Sequence, residues 1–285
     1  MQNEKNKVES STLYLVGTPI GNLADMTDRA KKVLAEVDFV AAEDTRNSMK
    51  LLSCFGIHTE LVSYYEHNKR ESGERIVARL LGGESCALIT DAGMPAISDP
   101  GEDLVRLCSD SGVTVRIVPG PSACVSALAL SGLPTARFAF EGFLPAQKSE
   151  RRKRIEAVAN EDRTMIFYEA PHKLRATLDD MAEIFGGERR ISLCRELTKL
   201  NEEAERCTLA DAVRIYKEKE PRGEYVLVVE GGSGKSCEDN PLLSLSPEDH
   251  VAHYESQGMK RMDAIKAAAK DRDMSKSELY KLLVE

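Results

Sequence analysis

The chain has 285 residues, 42% hydrophobic and 30% charged, a balance that fits a globular protein and argues against wholesale disorder. Lysine and arginine number 39 against 47 aspartate and glutamate, a formal net charge of -8. That charge excludes broad coating of nucleic acid but leaves room for a local basic patch. No window approaches 18 apolar residues, so no membrane span is expected, and the polar run Met1 to Ser11 reads as a frayed tail, not a signal peptide.

At roughly 150 residues per domain the length suggests about two domains. Thr12 to Gly17 reads as a strand and Thr27 to Glu36 as a helix. Phe39 to Ala42, Leu61 to Tyr64, Ser85 to Thr90 and Val113 to Val118 are further strands, with helices near Arg46 to Phe55, Gly73 to Leu81 and Glu102 to Ser109. This β-then-α rhythm predicts a mostly parallel sheet covered on both faces. The rhythm changes after Pro119. A small-residue helix runs to about Ser131. Strands follow at Phe138 to Phe143, Thr164 to Tyr168, Ile191 to Arg195, Ala204 to Thr208 and Tyr225 to Glu230. Helices are expected at Ser149 to Ala159, Lys173 to Phe185 and Leu209 to Glu218. Adjacent strand pairs predict a mixed second sheet. The expected fold is therefore α/β, with one domain over residues 12–120 and a second over 121–232.

A polar linker, Gly231 to Leu245, precedes a helical tail over residues 246–285. Ser246-Pro247 gives a cap followed by proline at the first helical position, and Ser275 with Glu278 fits a capping box. Ala264, Ile265, Ala268 and Ala269 form a small apolar face. Packing, dimer formation and a helix-turn-helix are all compatible with this tail. Its balanced charge does not support DNA binding. Seven cysteines without a C-x-x-C pair read as reduced thiols, several of them buried, which suits the cytoplasm. The histidines lack metal-ligand spacing, so no metal is expected.

Four Gly/Pro loops follow strands directly, where open α/β sheets bind ligands. Gly17 to Leu23 is not a dinucleotide fingerprint and can be a plain turn. Thr90 to Gly101 is too long for an ordinary connector. In Val118 to Ala123 a strand meets a helix start, and Ser122 can be a ligand contact or only a cap. Phe167 to His172 is the fourth. Gly232-Ser233-Gly234-Lys235-Ser236 looks like the end of a P-loop, but Val229 stands where the first glycine belongs, so it reads as linker. Lys148, Arg151, Arg152, Lys153 and Arg154 make a basic cluster, either a solvated helix face or a phosphate contact.

Taken in order, these blocks resemble the tetrapyrrole methylase superfamily. The resemblance rests on Leu15 to Leu23, Ala42 to Arg46, Ile89 to Gly101, Val118 to Ala123, Phe167 to His172, Arg195 to Lys199 and Gly223 to Val228, within residues 12 to 230. It implies a two-domain class III methyltransferase fold with a small helical appendage, a homodimer, and S-adenosylmethionine (SAM) as cofactor. The wording of the blocks is most similar to the branch acting on 16S rRNA in the small ribosomal subunit. The implied reaction is 2′-O-methylation of a cytidine ribose in the decoding region. Carried over, Pro19, Asp91, Ala92, Gly93, Met94, Ile97, Ser122 and Ala123 would line the cofactor from one side, and Glu169, Ala170 and Tyr225 from the other. Asp44, Glu169 and Lys199 are candidate bases or orienters, although Asp44 can equally be a helix cap. Arg46 and the Lys148 to Arg154 cluster, with Arg137 and Lys173, are the expected RNA contacts. A small-molecule methylase and a non-catalytic ribosome assembly factor are the rival readings.

Overall fold

The computed structural model describes residues 7–232, 241–272 and 274–283. Two compact units emerge, Met1–Glu156 with Thr164–Glu230, and Ala157–Arg163 with Gly231–Glu285. Both sheets belong to the first unit. The boundary expected near residue 120 falls between the sheets, and two sheet-centred domains remain a proposal.

The first sheet is built from β1 (Thr12–Val16), β2 (Phe39–Ala42), β3 (Glu60–Ser63), β4 (Cys86–Ile89) and β5 (Thr114–Val118), all parallel, in the order β3-β2-β4-β1-β5. Four helices alternate with these strands: α1 (Asp28–Glu36), α2 (Thr45–Cys54), α3 (Lys69–Leu81) and α4 (Glu102–Asp110). β2 and β4 are buried at every residue, as an apolar strand covered on both faces must be. Alternate side chains feed opposite layers. Val40, Ala42, Ala87 and Ile89 join a core containing Val33 and Leu34 of α1, whereas Phe39, Ala41, Cys86 and Leu88 pack with Ile76 and Leu80 of α3. α3 begins before the expected Gly73, because its charged first turn carries no apolar periodicity.

The second sheet uses β6 (Phe138–Phe143), β7 (Thr164–Glu169), β8 (Arg190–Arg195), β9 (Glu203–Thr208) and β10 (Tyr225–Val229), in the order β6-β7-β10-β8-β9. β6 and β7 are parallel and the other pairs antiparallel, so the sheet is mixed, as expected. Its helices are α5 (Ala123–Ser131), α6 (Lys148–Ala157), α7 (Pro171–Phe185) and α8 (Leu209–Glu218). α7 opens on Pro171, whose missing N–H costs nothing in a first turn.

In the second unit, α9 (Pro247–Ser256), α10 (Arg261–Asp271) and α11 (Lys276–Leu282) form a helical cluster. Ser246 caps α9, and Ser275 with Glu278 forms the capping box. Ala264, Ile265, Ala268 and Ala269 are buried with Val251 and Leu279. His250 is fully buried, with Nε2 3.1 Å from Asp271 Oδ2 and Nδ1 accepting from Arg272 Nε at 3.0 Å. The described cysteines are free thiols, and burial pushes those of Cys108 and Cys124 up to about 11. Cys237 and the P-loop-like run from Ser233 lie outside the described residues. No described helix is long and apolar enough to cross a membrane.

Candidate active site

Strand order decides which loops meet. β4, β1 and β5 are neighbours, so the loops after their carboxyl ends lie side by side. The β1 and β4 loops are tied by paired backbone bonds, Thr18 N to Gly93 O at 2.9 Å and Gly93 N to Thr18 O at 3.1 Å. The buried Thr18 hydroxyl adds a bond to Thr90 O at 3.1 Å. Gly17 and Gly120 pass so closely that a Cβ on Gly17 would meet Gly120 Cα at 2.7 Å, and glycine is required for that approach.

Register does the same work in the second sheet. Tyr225 opens β10 opposite Glu169, the last residue of β7, and opposite Arg195, the last of β8. The segments at Glu169 to Pro171, Glu196 to Lys199 and Glu224 to Val226 therefore share one end of the sheet. Together with the first sheet's loops they enclose a cleft of about 400 Å³, a size suited to a small-molecule cofactor.

Each polar group in the cleft has a defined setting. Ser122 occupies the N-cap position of α5 but makes no capping bond, which leaves its hydroxyl available to the cleft. Glu169 is buried, accepting from Thr177 Oγ1 at 2.6 Å and from the Ala170 N–H at 2.9 Å, with Lys173 Nζ at 3.0 Å. Lys199 Nζ lies 3.0 Å from Glu196 Oε1. Asp99 is half-buried, and its carboxyl is pushed up to about 6 by burial and then by the charges of Glu43 and Asp91, against a hydrogen bond from Thr90. Tyr168 is pushed up to about 12, chiefly by burial. Its ring stands edge-on to Phe140 and Phe143, with centroids 5.0 and 5.4 Å away. Ala96 and Ser98 hold φ of +67° and +62°. Left-handed backbone at such residues costs about 1–2 kcal/mol each and concentrates at functional loops.

The family model described as Tetrapyrrole (Corrin/Porphyrin) Methylases matches residues 12–213, the span that supplies nearly all of this cleft. The chain belongs to the tetrapyrrole methylase family. Among its relatives, ribosomal RNA small subunit methyltransferase I of Halalkalibacterium halodurans is 49% identical over 283 residues, covering 99% of this chain and 97% of that protein. The protein of the same name from Bacillus subtilis is 46% identical over 276 residues, covering 96% and 94%. The crystal structure of uroporphyrin-III-C-methyltransferase from Thermus thermophilus shares the fold, with a TM-score of 0.55 at 20% identity over 79% of this chain and 96% of that one.

In this tetrapyrrole methylase the cleft brings together Ala92, Gly93, Met94, Ile97, Ser122 and Ala123 from the first group of expected cofactor residues. Glu169, Ala170, Tyr225 and Lys199 join them, although the Tyr225 ring turns to Tyr216, 5.9 Å away. Pro19 and Asp91 line instead a neighbouring cavity of about 210 Å³ with Asn47, whose amide donates to Asp91 at 3.0 Å. Asp44 lies outside the cleft lining and caps α2, accepting from Arg46 N at 2.9 Å. Hydrogen bonds from the Arg46 side chain and backbone hold its carboxyl down at about 2, which suits a cap and not a proton acceptor.

The basic cluster divides. Arg151 is buried against Asp180, at 2.8 Å, and Arg152 bridges Asp180 and Glu183. Arg154 pairs with Glu141 and Lys173 with Glu169. Arg151 therefore braces α6 on α7, while Lys148 and Lys153 face solvent. Sequence reasoning passed over Ser98, Asp99, Phe143, Tyr168 and Glu196 as cleft residues. Only the length of the Thr90 to Gly101 loop signalled the first two.

Proposed function

We propose that this methylase transfers a methyl group from SAM to the 2′-hydroxyl of a cytidine ribose in the decoding region of 16S rRNA. The observation that carries the reading is near-full-length similarity to two proteins named as small-subunit rRNA methyltransferases. SAM, when bound, supplies a methyl group already activated by its sulfonium charge. The cleft residues suit that cation: Glu196 and Glu224 border it, with Tyr168 and Phe143 offering ring surfaces. Their task is to hold donor and hydroxyl in line and exclude water, and alignment of that kind supplies much of the rate in such transfers. An interdomain-type cleft admits a ribose hydroxyl only from single-stranded or opened RNA.

The same reading includes action in the cytoplasm and a homodimer. Ile117 on edge strand β5 and Val125 on α5 are each at least half exposed and would be candidates for its contact. Light scattering at micromolar concentration measures the dimer directly. Mass spectrometry of 16S rRNA from a deletion strain tests the reaction: one ribose methyl should vanish and return on complementation. Retention of every 2′-O-methyl would remove the proposal. Calorimetry without a SAM heat, on folded protein, would favour the assembly-factor alternative.

A further inference from the structure

The transfer needs a group to take the hydroxyl proton, because a neutral ribose hydroxyl is a poor nucleophile. Four carboxylates border the cleft. Glu169 is saturated by Thr177, Lys173 and the Ala170 amide. Glu196 pairs with Lys199, and Glu224 stands in solvent on the turn before β10. Asp99 differs from all three. It lies half-buried at the cleft wall on a loop fixed by left-handed residues at Ala96 and Ser98. The charged groups beside it are Glu43 beyond β2 and Asp91 in its own loop, and the neutral, titratable Tyr168 on β7 also feels its charge. The single Thr90 hydroxyl proton is shared between Asp99 and Glu43, the latter 3.2 Å away. Neighbours of this kind favour the protonated carboxyl and so make Asp99 a better proton acceptor than an ordinary aspartate.

We propose that Asp99 accepts the proton of the substrate hydroxyl during methyl transfer. The inference rests on the methyltransfer reading above. The O–H bond breaks and its proton passes to the Asp99 carboxylate. The freed oxygen pair forms the bond to the methyl carbon, the carbon–sulfur bond breaks, and sulfur keeps that pair as a neutral thioether. Asp99 then releases its proton to water. The midpoint of about 6 places Asp99 in the ionised, accepting form at neutral pH with a proton affinity near the working range.

The experiment compares wild type with Asp99→Asn and Asp99→Glu in single turnovers on small-subunit rRNA from pH 5 to 9. SAM calorimetry and carboxyl ¹³C NMR accompany it. The wild-type rate should climb about tenfold per pH unit below about 6 and then level. Asp99→Asn should be folded, slower by about 10²- to 10⁴-fold, flat across that limb, and unchanged in Kd for SAM. Asp99→Glu should recover part of the rate together with a pH limb. A rate for Asp99→Asn within threefold of wild type would overturn the assignment. So would an NMR midpoint near 4, or a loss confined to SAM affinity with normal turnover at saturation. Wild type that binds SAM and methylates rRNA while Asp99→Asn does so equally well refutes this inference alone. Wild type that does neither refutes the methyltransfer reading, and this inference with it.

Discussion

Glu169 and Asp99 border the same cleft in opposite surroundings, and their stability effects should differ in sign. Glu169 is held by a cation and two donors. Removing its carboxylate in Glu169→Ala leaves the Thr177 hydroxyl without its acceptor and Lys173 with the Leu144 carbonyl alone, and should cost about 2–3 kcal/mol in urea unfolding. Asp99 has its carboxyl pushed up to about 6, whereas an unfolded aspartate titrates near 3.9. Between those values the native state binds the extra proton, so its contribution falls as pH rises from about 4 to 6. Asp99→Asn should therefore raise stability at pH 7 by about 1 kcal/mol, after discounting for its solvent exposure, and the gain should vanish near pH 4. Unfolding curves at pH 4 and 7 check both size and sign. A stabilising substitution that slows turnover is the usual mark of a functional carboxylate.

The elements themselves were largely readable from the chain. β2, β6 and α8 match the expected bounds, because short apolar and aromatic runs mark strands and a period-3.6 pattern marks a helix. Gly and Pro at the strand ends marked the loops after β1, β4 and β5, but their meeting depends on the strand order β4-β1-β5, which no local pattern encodes. What also could not be read was where charged side chains turn. Arg151 sits in a run of cations that suggests a solvated face, yet its partner Asp180 is 29 residues downstream on α7. No local pattern encodes that meeting. Asp99 was hidden for a related reason: its like-charged neighbour Glu43 arrives from the end of β2, and only folding sets the two carboxylates together. The buried pair predicts that Arg151→Ala loses about 3 kcal/mol, since Asp180 keeps only Arg152, whereas Lys153→Ala changes stability by under 0.5 kcal/mol. Parallel urea denaturation of both variants measures the contrast on neighbouring helix positions.

For the whole molecule, the net charge of -8 limits how RNA can be held. With Arg151, Arg152 and Arg154 already paired to carboxylates, the cluster offers mainly Lys148 and Lys153 to phosphates, with the Arg46 guanidinium, exposed although bonded to Asp44, at the start of α2. Contact with two to four phosphates of single-stranded RNA, at about 0.7 per contact, gives a slope of log K against log salt between about −1.4 and −2.8. A protein that coats RNA would be far steeper. Lys148→Glu with Lys153→Glu should flatten the slope by about 1.4 and weaken RNA binding, leaving the SAM Kd and the unfolding midpoint unchanged. Filter binding from 50 to 300 mM salt reads the slope, and calorimetry reads the cofactor. A double variant with an unaltered slope would move the RNA face away from α6, and the acidic remainder of the surface would then leave Arg46 and the loops around the cleft as the place to look.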